Sequence, residues 1–172
     1  MSPKVLTLLL ATLLANVEGQ KLIPMKDFKP DKIGGLWYII QRTQPLYNDT
    51  VACITSTVNH KDGEVYEVIL NYKSLDNERL ENRLVVKDDT DHPAQFLFTD
   101  KDQKTVAITI LGTDYKKWST AHGYFSGKGD SSCYAILSRT PVPDPVDLDT
   151  AIRVLERNEV KLPLLRVDQS NC

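Results

Sequence analysis

Between residues 36 and 139 the chain repeats one pattern. Short runs carry an apolar residue at every second position, and each run is stopped by a cluster of Gly, Asn, Asp or Pro. Such alternation puts successive side chains on opposite faces of an extended strand, so most runs have a dry face and a wet one. The runs are 36–43, 51–60, 64–72, 79–87, a short one carrying Phe96 and Phe98, 105–112, 116–125 and 132–139. In the second, Ala52, Ile54, Ser56 and Val58 oppose Thr55, Thr57 and Asn59. In the third, Tyr66, Val68, Leu70 and Tyr72 oppose Glu67, Ile69 and Asn71, and in the fourth Leu80, Leu84 and Val86 oppose Arg79, Glu81, Arg83 and Lys87. The run 105–112 is apolar nearly throughout. Turn chemistry separates the runs at Lys61-Asp62-Gly63, at Asp76-Asn77, at the acidic stretch from Asp88 to Asp91 and at Gly127-Lys128-Gly129-Asp130.

After Pro141, Pro143 and Pro145 the period changes. Leu148, Ile152 and Leu155 fall on one helical stripe with Asp147 as the expected N-cap, and a last run, 162–167, is expected to add an edge strand. The fold class that follows is all-β: an eight-stranded antiparallel up-and-down barrel with one C-terminal α-helix packed on its outside. Eight strands enclose room for side chains or for one small ligand. Parity then carries the argument further. Each strand of a meander reverses the last, so the start of the first strand, the turn after the sixth and the end of the eighth share one end of the barrel. Those positions hold Gly35 and Trp37, Thr113-Asp114-Tyr115, and Arg139, which are expected to meet and shut that end.

Residues 1–19 are read apart from the fold. Lys4 gives a positive start, Val5 to Ala15 is an almost unbroken apolar run, and Val17 and Gly19 are small enough for a cleavage site, as in a secretory signal peptide. The run is too short to span a bilayer, so no stable membrane insertion is expected. Residues 20–172 then form one domain, of a size that buries roughly 68–70% of its unfolded surface. A net charge of −2 with interspersed signs gives no basis for a nucleic-acid partner. Three cysteines in an oxidising compartment mean one disulfide and one leftover thiol. Spacing allows three pairings, of which Cys53–Cys172 ties down the C-terminal tail. Asn48-Asp49-Thr50 is an N-glycosylation sequon between the first two runs.

Several of these pieces resemble the lipocalins, and most closely their apolipoprotein D-like branch. The resemblance runs through Phe28 to Tyr38, through Gly112-Thr113-Asp114-Tyr115, through Leu137-Ser138-Arg139-Thr140-Pro141 and through Val167 to Cys172, with Cys53 where that family has the partner of the last Cys. It implies that Trp37 plugs the barrel floor beneath the guanidinium of Arg139, a stacking role that Lys does not fill. It also implies that the row Leu137, Ala135, Cys133 points inward. The second disulfide common in that branch is missing, since neither the leading segment nor the seventh run has a Cys, which leaves Cys133 unpaired.

The function that follows is a secreted, extracellular carrier of a small hydrophobic molecule of the lipid, retinoid, sterol, bilin or pheromone class, without a cofactor and not an enzyme. Its lining is expected from Ile54 and Val58, from Tyr66, Val68 and Leu70, from Phe96 and Phe98, from Ile108 and Ile110, and from Ala135 and Leu137, with Tyr66 and Tyr72 hydroxyls to orient a ligand. A cell-surface receptor or lipoprotein particle is a candidate partner, and the chain is expected to be a monomer or weak dimer. The alternative is a thiol-dependent lipid isomerase resembling the lipocalin-type prostaglandin D synthase and using Cys133, although no neighbouring base in the sequence activates that thiol. His60, His92 and His122 are scattered without metal-ligand spacing, and Asp114, Ser119 and His122 lack a nucleophile elbow.

Overall fold

The computed structural model describes residues 22–43, 52–61, 65–74, 76, 78–87, 92–99, 105–126 and 131–172. The signal peptide read over residues 1–19, the Asn48 sequon and the acidic stretch from Asp88 to Asp91 lie outside them. The eight alternating runs form strands β1 (Gly35–Arg42), β2 (Ala52–His60), β3 (Val65–Lys73), β4 (Arg79–Lys87), β5 (Gln95–Thr99), β6 (Thr105–Thr113), β7 (Trp118–Phe125) and β8 (Ser131–Ser138). Except at β4 and β5, each pairs antiparallel with its sequence neighbour, and β1 pairs with β8, so the sheet curls into the order β4-β3-β2-β1-β8-β7-β6-β5. The barrel is nearly closed: β4 and β5 lie against each other at the seam, with no ladder between them among the described residues. A two-residue strand, β9 (Leu165–Arg166), adds to the outer edge of β1 within the run expected there.

Two local expectations are corrected. The seventh strand starts at Trp118, later than the alternation implied, because the Asp114 carboxylate accepts from the backbone N–H groups of Lys116, Lys117 and Trp118 and holds the chain in a turn. Helix α1 (Pro145–Arg157) is capped by Asp144, not Asp147: the Asp144 side chain accepts from Val146 N at 2.8 Å, and Pro145 fits the first helical position because it has no N–H to leave unpaired. Asp147 sits inside the first turn and pairs with Lys117 across to the barrel at 3.3 Å.

Helix α1 packs on β6, β7 and β8. There the strands are apolar on both faces, with Leu111, Tyr134 and Ile136 turned out against Ala151, Val154 and Leu155. At Gly112 the helix comes so near that an added Cβ would stand 3.2 Å from both methyl carbons of Val154. On β2, β3 and β4, where no helix lies, the outward residues are mostly polar, although Ile69 and the 60% exposed Val85 share that face. Glu67 accepts from Arg83 at 2.6 Å and from Asn59 at 3.3 Å, and pairs with Lys61 at 3.1 Å. These contacts, that of Arg83 foremost, draw its carboxyl down to a pKa of about 2.

The C-terminal tail is tied across β1 and β2. Cys53 and Cys172 form the disulfide, closing a loop of 119 residues, which contributes roughly 4–5 kcal/mol in the chain-entropy model. Beside it, the Gln169 side-chain amide donates to the carbonyls of both Ile39 and Ile54.

Candidate functional site

The end of the barrel where parity gathers three motifs is closed by them. Trp37 is 1% exposed and donates from Nε1 to the Ile33 carbonyl at 2.8 Å. The Arg139 guanidinium lies over its ring, 3.6 Å from the centroid. The same guanidinium donates to the carbonyls of Leu36, Gly34 and Tyr115 at 2.8, 2.8 and 3.0 Å. One cation thus pins the start of β1 to the β6–β7 turn while its face stacks on an indole. Gly35 belongs to this arrangement: its φ of +94° suits glycine alone, and a Cβ there would meet Arg139 Nη1 at 3.1 Å. Thr113 holds the turn itself, since its hydroxyl donates to the Trp118 carbonyl and accepts from Tyr115 N. The leading segment, with a short 3-10 turn at Pro30–Lys32, crosses beneath and stacks Phe28 on Tyr115 with ring centroids 5.9 Å apart.

Above this floor is a cavity of about 160 Å³ with an almost wholly apolar wall. Of the eleven residues expected to line it, ten do. Val58 contributes from β2, Tyr66, Val68 and Leu70 from β3, and Phe96 and Phe98 from β5. Ile108 and Ile110 follow from β6, and Ala135 and Leu137 from β8. Tyr66 is held by stacking on His60 and by an edge contact with Phe96.

Ile54 is the exception. The β2–β3 register shifts between Ala52 and Thr55, and Cys53 takes a φ of +56°. This bulge breaks the alternation where Ile54 sits, so the β2 wall of the chamber ends at Ser56. Tyr72 is not in the wall either: its hydroxyl lies 3.5 Å from Asn82 Nδ2, at the end of β3 away from the floor.

Sequence reasoning missed β7 almost entirely. Ser119, Ala121, Gly123 and Phe125 all face the chamber. Their mixed small and polar character hides the alternation, although the partner row on β8 (Leu137, Ala135, Cys133) pairs with Ser119, Ala121 and Gly123 one for one.

Cys133 is a free thiol in the chamber wall, and burial pushes its pKa up to about 11. His122 is one residue out of phase with the wall. It is buried on the outer face beside Tyr134, and desolvation lowers its pKa to about 4.

No protein-family model matches the chain, and no curated protein sequence matches it. Solved structures do. Insecticyanin from the tobacco hornworm Manduca sexta superposes with a TM-score of 0.73 at 16% identity over 88% of this chain and 86% of its own. Apocrustacyanin C2 gives 0.70 at 14% identity over 85% and 82%. Lobster apocrustacyanin A1 gives 0.68 at 14% identity over 82% and 79%. These are lipocalin structures, and the fold of this chain is the lipocalin fold.

Proposed function

We propose that the protein is a secreted carrier that holds a small hydrophobic molecule inside the barrel. The observation that carries this reading is the floored, apolar chamber: a void of about 160 Å³ that the chain's own side chains leave unfilled. A void of that kind forfeits dispersion contacts along its lining, and an apolar ligand restores them. An engineered cavity of about 150 Å³ lined by apolar side chains stays dry and binds benzene, so this one suits one ring or one chain. Burying about 300 Å² of such a ligand offers roughly 7–8 kcal/mol, from which association costs are subtracted. Secretion is supported by the Cys53–Cys172 disulfide, which persists in oxidising compartments. Assignment to the apolipoprotein D-like branch rests on the stretches Phe28 to Tyr38, Gly112 to Tyr115, Leu137 to Pro141 and Val167 to Cys172.

The isomerase reading draws on the position of Cys133 in the wall. Its raised pKa weighs against that reading, because a thiol held protonated at neutral pH is a poor nucleophile. The carrier reading is tested by native mass spectrometry of protein purified from its own tissue, with a visible absorption spectrum. A bound apolar molecule is expected, and an absorption band would point to a bilin or carotenoid. Protein that arrives empty, and that also takes up no polarity-sensitive dye, refutes the reading.

A further inference from the structure

Besides the Trp37 indole, the chamber wall carries hydroxyl or thiol groups on Ser56, Tyr66, Ser119 and Cys133. Three of these are engaged. The Ser119 hydroxyl donates to the Gly112 carbonyl at 3.4 Å, the Cys133 sulfur accepts from the backbone of Gly123, and Tyr66 stacks on His60 and meets the edge of Phe96. Ser56 is different. It is only 7% exposed, and among the described residues its hydroxyl has no hydrogen-bond partner. Ser56 stands directly opposite Trp37 on β1 and Leu70 on β3, both of which line the chamber. Directly opposed residues share a face of the sheet, so the hydroxyl turns into the barrel. Trp37 is the floor, which puts this hydroxyl at the closed end. Towards the other end, Gly123 and Phe125 continue the β7 wall without a polar side chain. A buried hydroxyl without a partner is costly, and a native structure that keeps one calls for an explanation. A lone water does not supply it. A buried water needs about three polar partners, and the neighbours of Ser56 on the same face are Trp37, Val58 and Leu70, with the indole N–H already given to Ile33.

We propose that Ser56 selects the ligand: a neutral molecule with one hydrogen-bonding oxygen, a ketone or an alcohol, that enters oxygen first and bonds to Ser56 beside Trp37. This rests on the carrier reading and adds to it which atom is recognised and which end goes in. A hydroxyl both donates and accepts, so it serves either kind of oxygen. A charged head is rejected at this end, because one neutral hydroxyl does not offset the desolvation of an ion. A second polar group on the ligand would face apolar wall with nothing to bond to. The hydrocarbon part then fills the rest of the void, about 160 Å³, which holds one ring or a short chain.

The test is calorimetric titration of the full chain with acetophenone and with α-methylstyrene, two probes of one shape that differ in a C=O against a C=CH2 group. Ser56→Ala is expected to weaken acetophenone binding about fivefold, the net worth of one neutral hydrogen bond, and to leave α-methylstyrene binding unchanged. The infrared C=O band of bound acetophenone gives a second readout. It is expected at its hydrogen-bonded position in the wild type and at its apolar-solvent position in the variant. Ser56→Cys keeps the volume, replaces the hydroxyl by a weak donor and carries the same comparison if the alanine variant does not fold. Three results overturn the role of Ser56 and leave the carrier reading standing, provided that α-methylstyrene binds the wild type. They are unchanged acetophenone binding in the variant, equal weakening of both probes, and a wild-type C=O band already at the apolar-solvent position. If neither probe binds the wild type, the carrier reading falls and the assignment falls with it.

Discussion

Among the described residues the molecule has two apolar cores that share one wall, and only one of them is full. Strands β6, β7 and β8 separate them. Outside, helix α1 closes on Leu111, Tyr134 and Ile136 and brings Ala151, Val154 and Leu155 to within 3% of complete burial. Inside, the same strands turn Ile108, Ala121, Ala135 and Leu137 towards a chamber whose far wall is β2, β3 and β5. A helix is a convex rod that can settle against a sheet until side chains touch, as it does at Gly112. A barrel cannot contract in that way, because its radius is set by strand number and stagger. Apolar residues therefore yield a packed interface in one place and a binding site in the other. The same contrast explains the third surface, the outside of β2, β3 and β4, where no helix lies and Glu67, Arg83 and Lys61 form an ion-paired network.

The comparison fails first at the floor, which belongs to the inner core but is packed as tightly as the outer one. Trp37→Ala is expected to cost about 3–5 kcal/mol in chemical denaturation, the range for deleting a buried aromatic side chain. A loss under 1 kcal/mol would mean that the indole and Arg139 do not seal the barrel.

The outer core carries a buried titratable group, His122, and the sign of its effect on stability is fixed by its lowered pKa. The native protein keeps it neutral down to about pH 4, whereas the unfolded chain protonates it near its ordinary value of 6.5. The unfolded state thus binds the extra proton between those values. Stability falls as pH drops from about 6.5 to about 4, by about 3 kcal/mol in all. His122→Gln is expected to flatten that slope in denaturation curves taken across the window, and an unchanged slope would assign it to other groups.

The sharpest contrast uses two alanines. Ala151 is fully buried under the helix, and Ala151→Leu is expected to destabilise by about 1–3 kcal/mol through overpacking. Ala135 faces the chamber, and Ala135→Leu is expected to leave stability within about 0.5 kcal/mol while abolishing uptake of a polarity-sensitive dye. Equal destabilisation by the two would mean that the inner core has no usable void.

The smallest effect belongs to the uncovered wall. Glu67 has a native pKa of about 2, below its ordinary 4.5, so its stabilising contribution is complete above about pH 5 and is lost as pH falls towards 2. Glu67→Gln is expected to reduce the acid-side slope of stability over that window, measured by denaturation at fixed low pH steps. A slope identical to the wild type would remove Glu67 from the account of acid unfolding.

The strands were legible because each one carries its own dry face. Tyr66, Val68 and Leu70 repeat with a period that no helix accommodates, and Val58, Phe96, Phe98, Ile108 and Ile110 do the same within their runs. The floor was legible too, since reversal of direction at every turn brings Trp37, Tyr115 and Arg139 to one end whatever the packing. Strand β7 was hard to read: Ser119, Ala121 and Gly123 are chamber residues whose identities carry no hydrophobic signal, and only their partners on β8 reveal them. The helix cap was misread by one turn because Asp144 and Asp147 are both chemically suited to the position, and Pro145 between them decides it.

Alternation within each run determined the number of strands, their order and the end at which the barrel shuts, because these follow from local periodicity and from chain direction. The bulges, such as those in the β1–β8 and β2–β3 ladders, were decided only in three dimensions. A register shift is a property of a pair of strands, set by what each backbone finds opposite, and nothing within β1 or β2 alone records it. The one in β2 takes Ile54 out of the chamber wall, and the one in β1 sets Arg42, not Gln41, opposite Ala135. The void itself was decided at the same level, since apolar residues are identical in sequence whether their neighbours close on them or stand one ligand away.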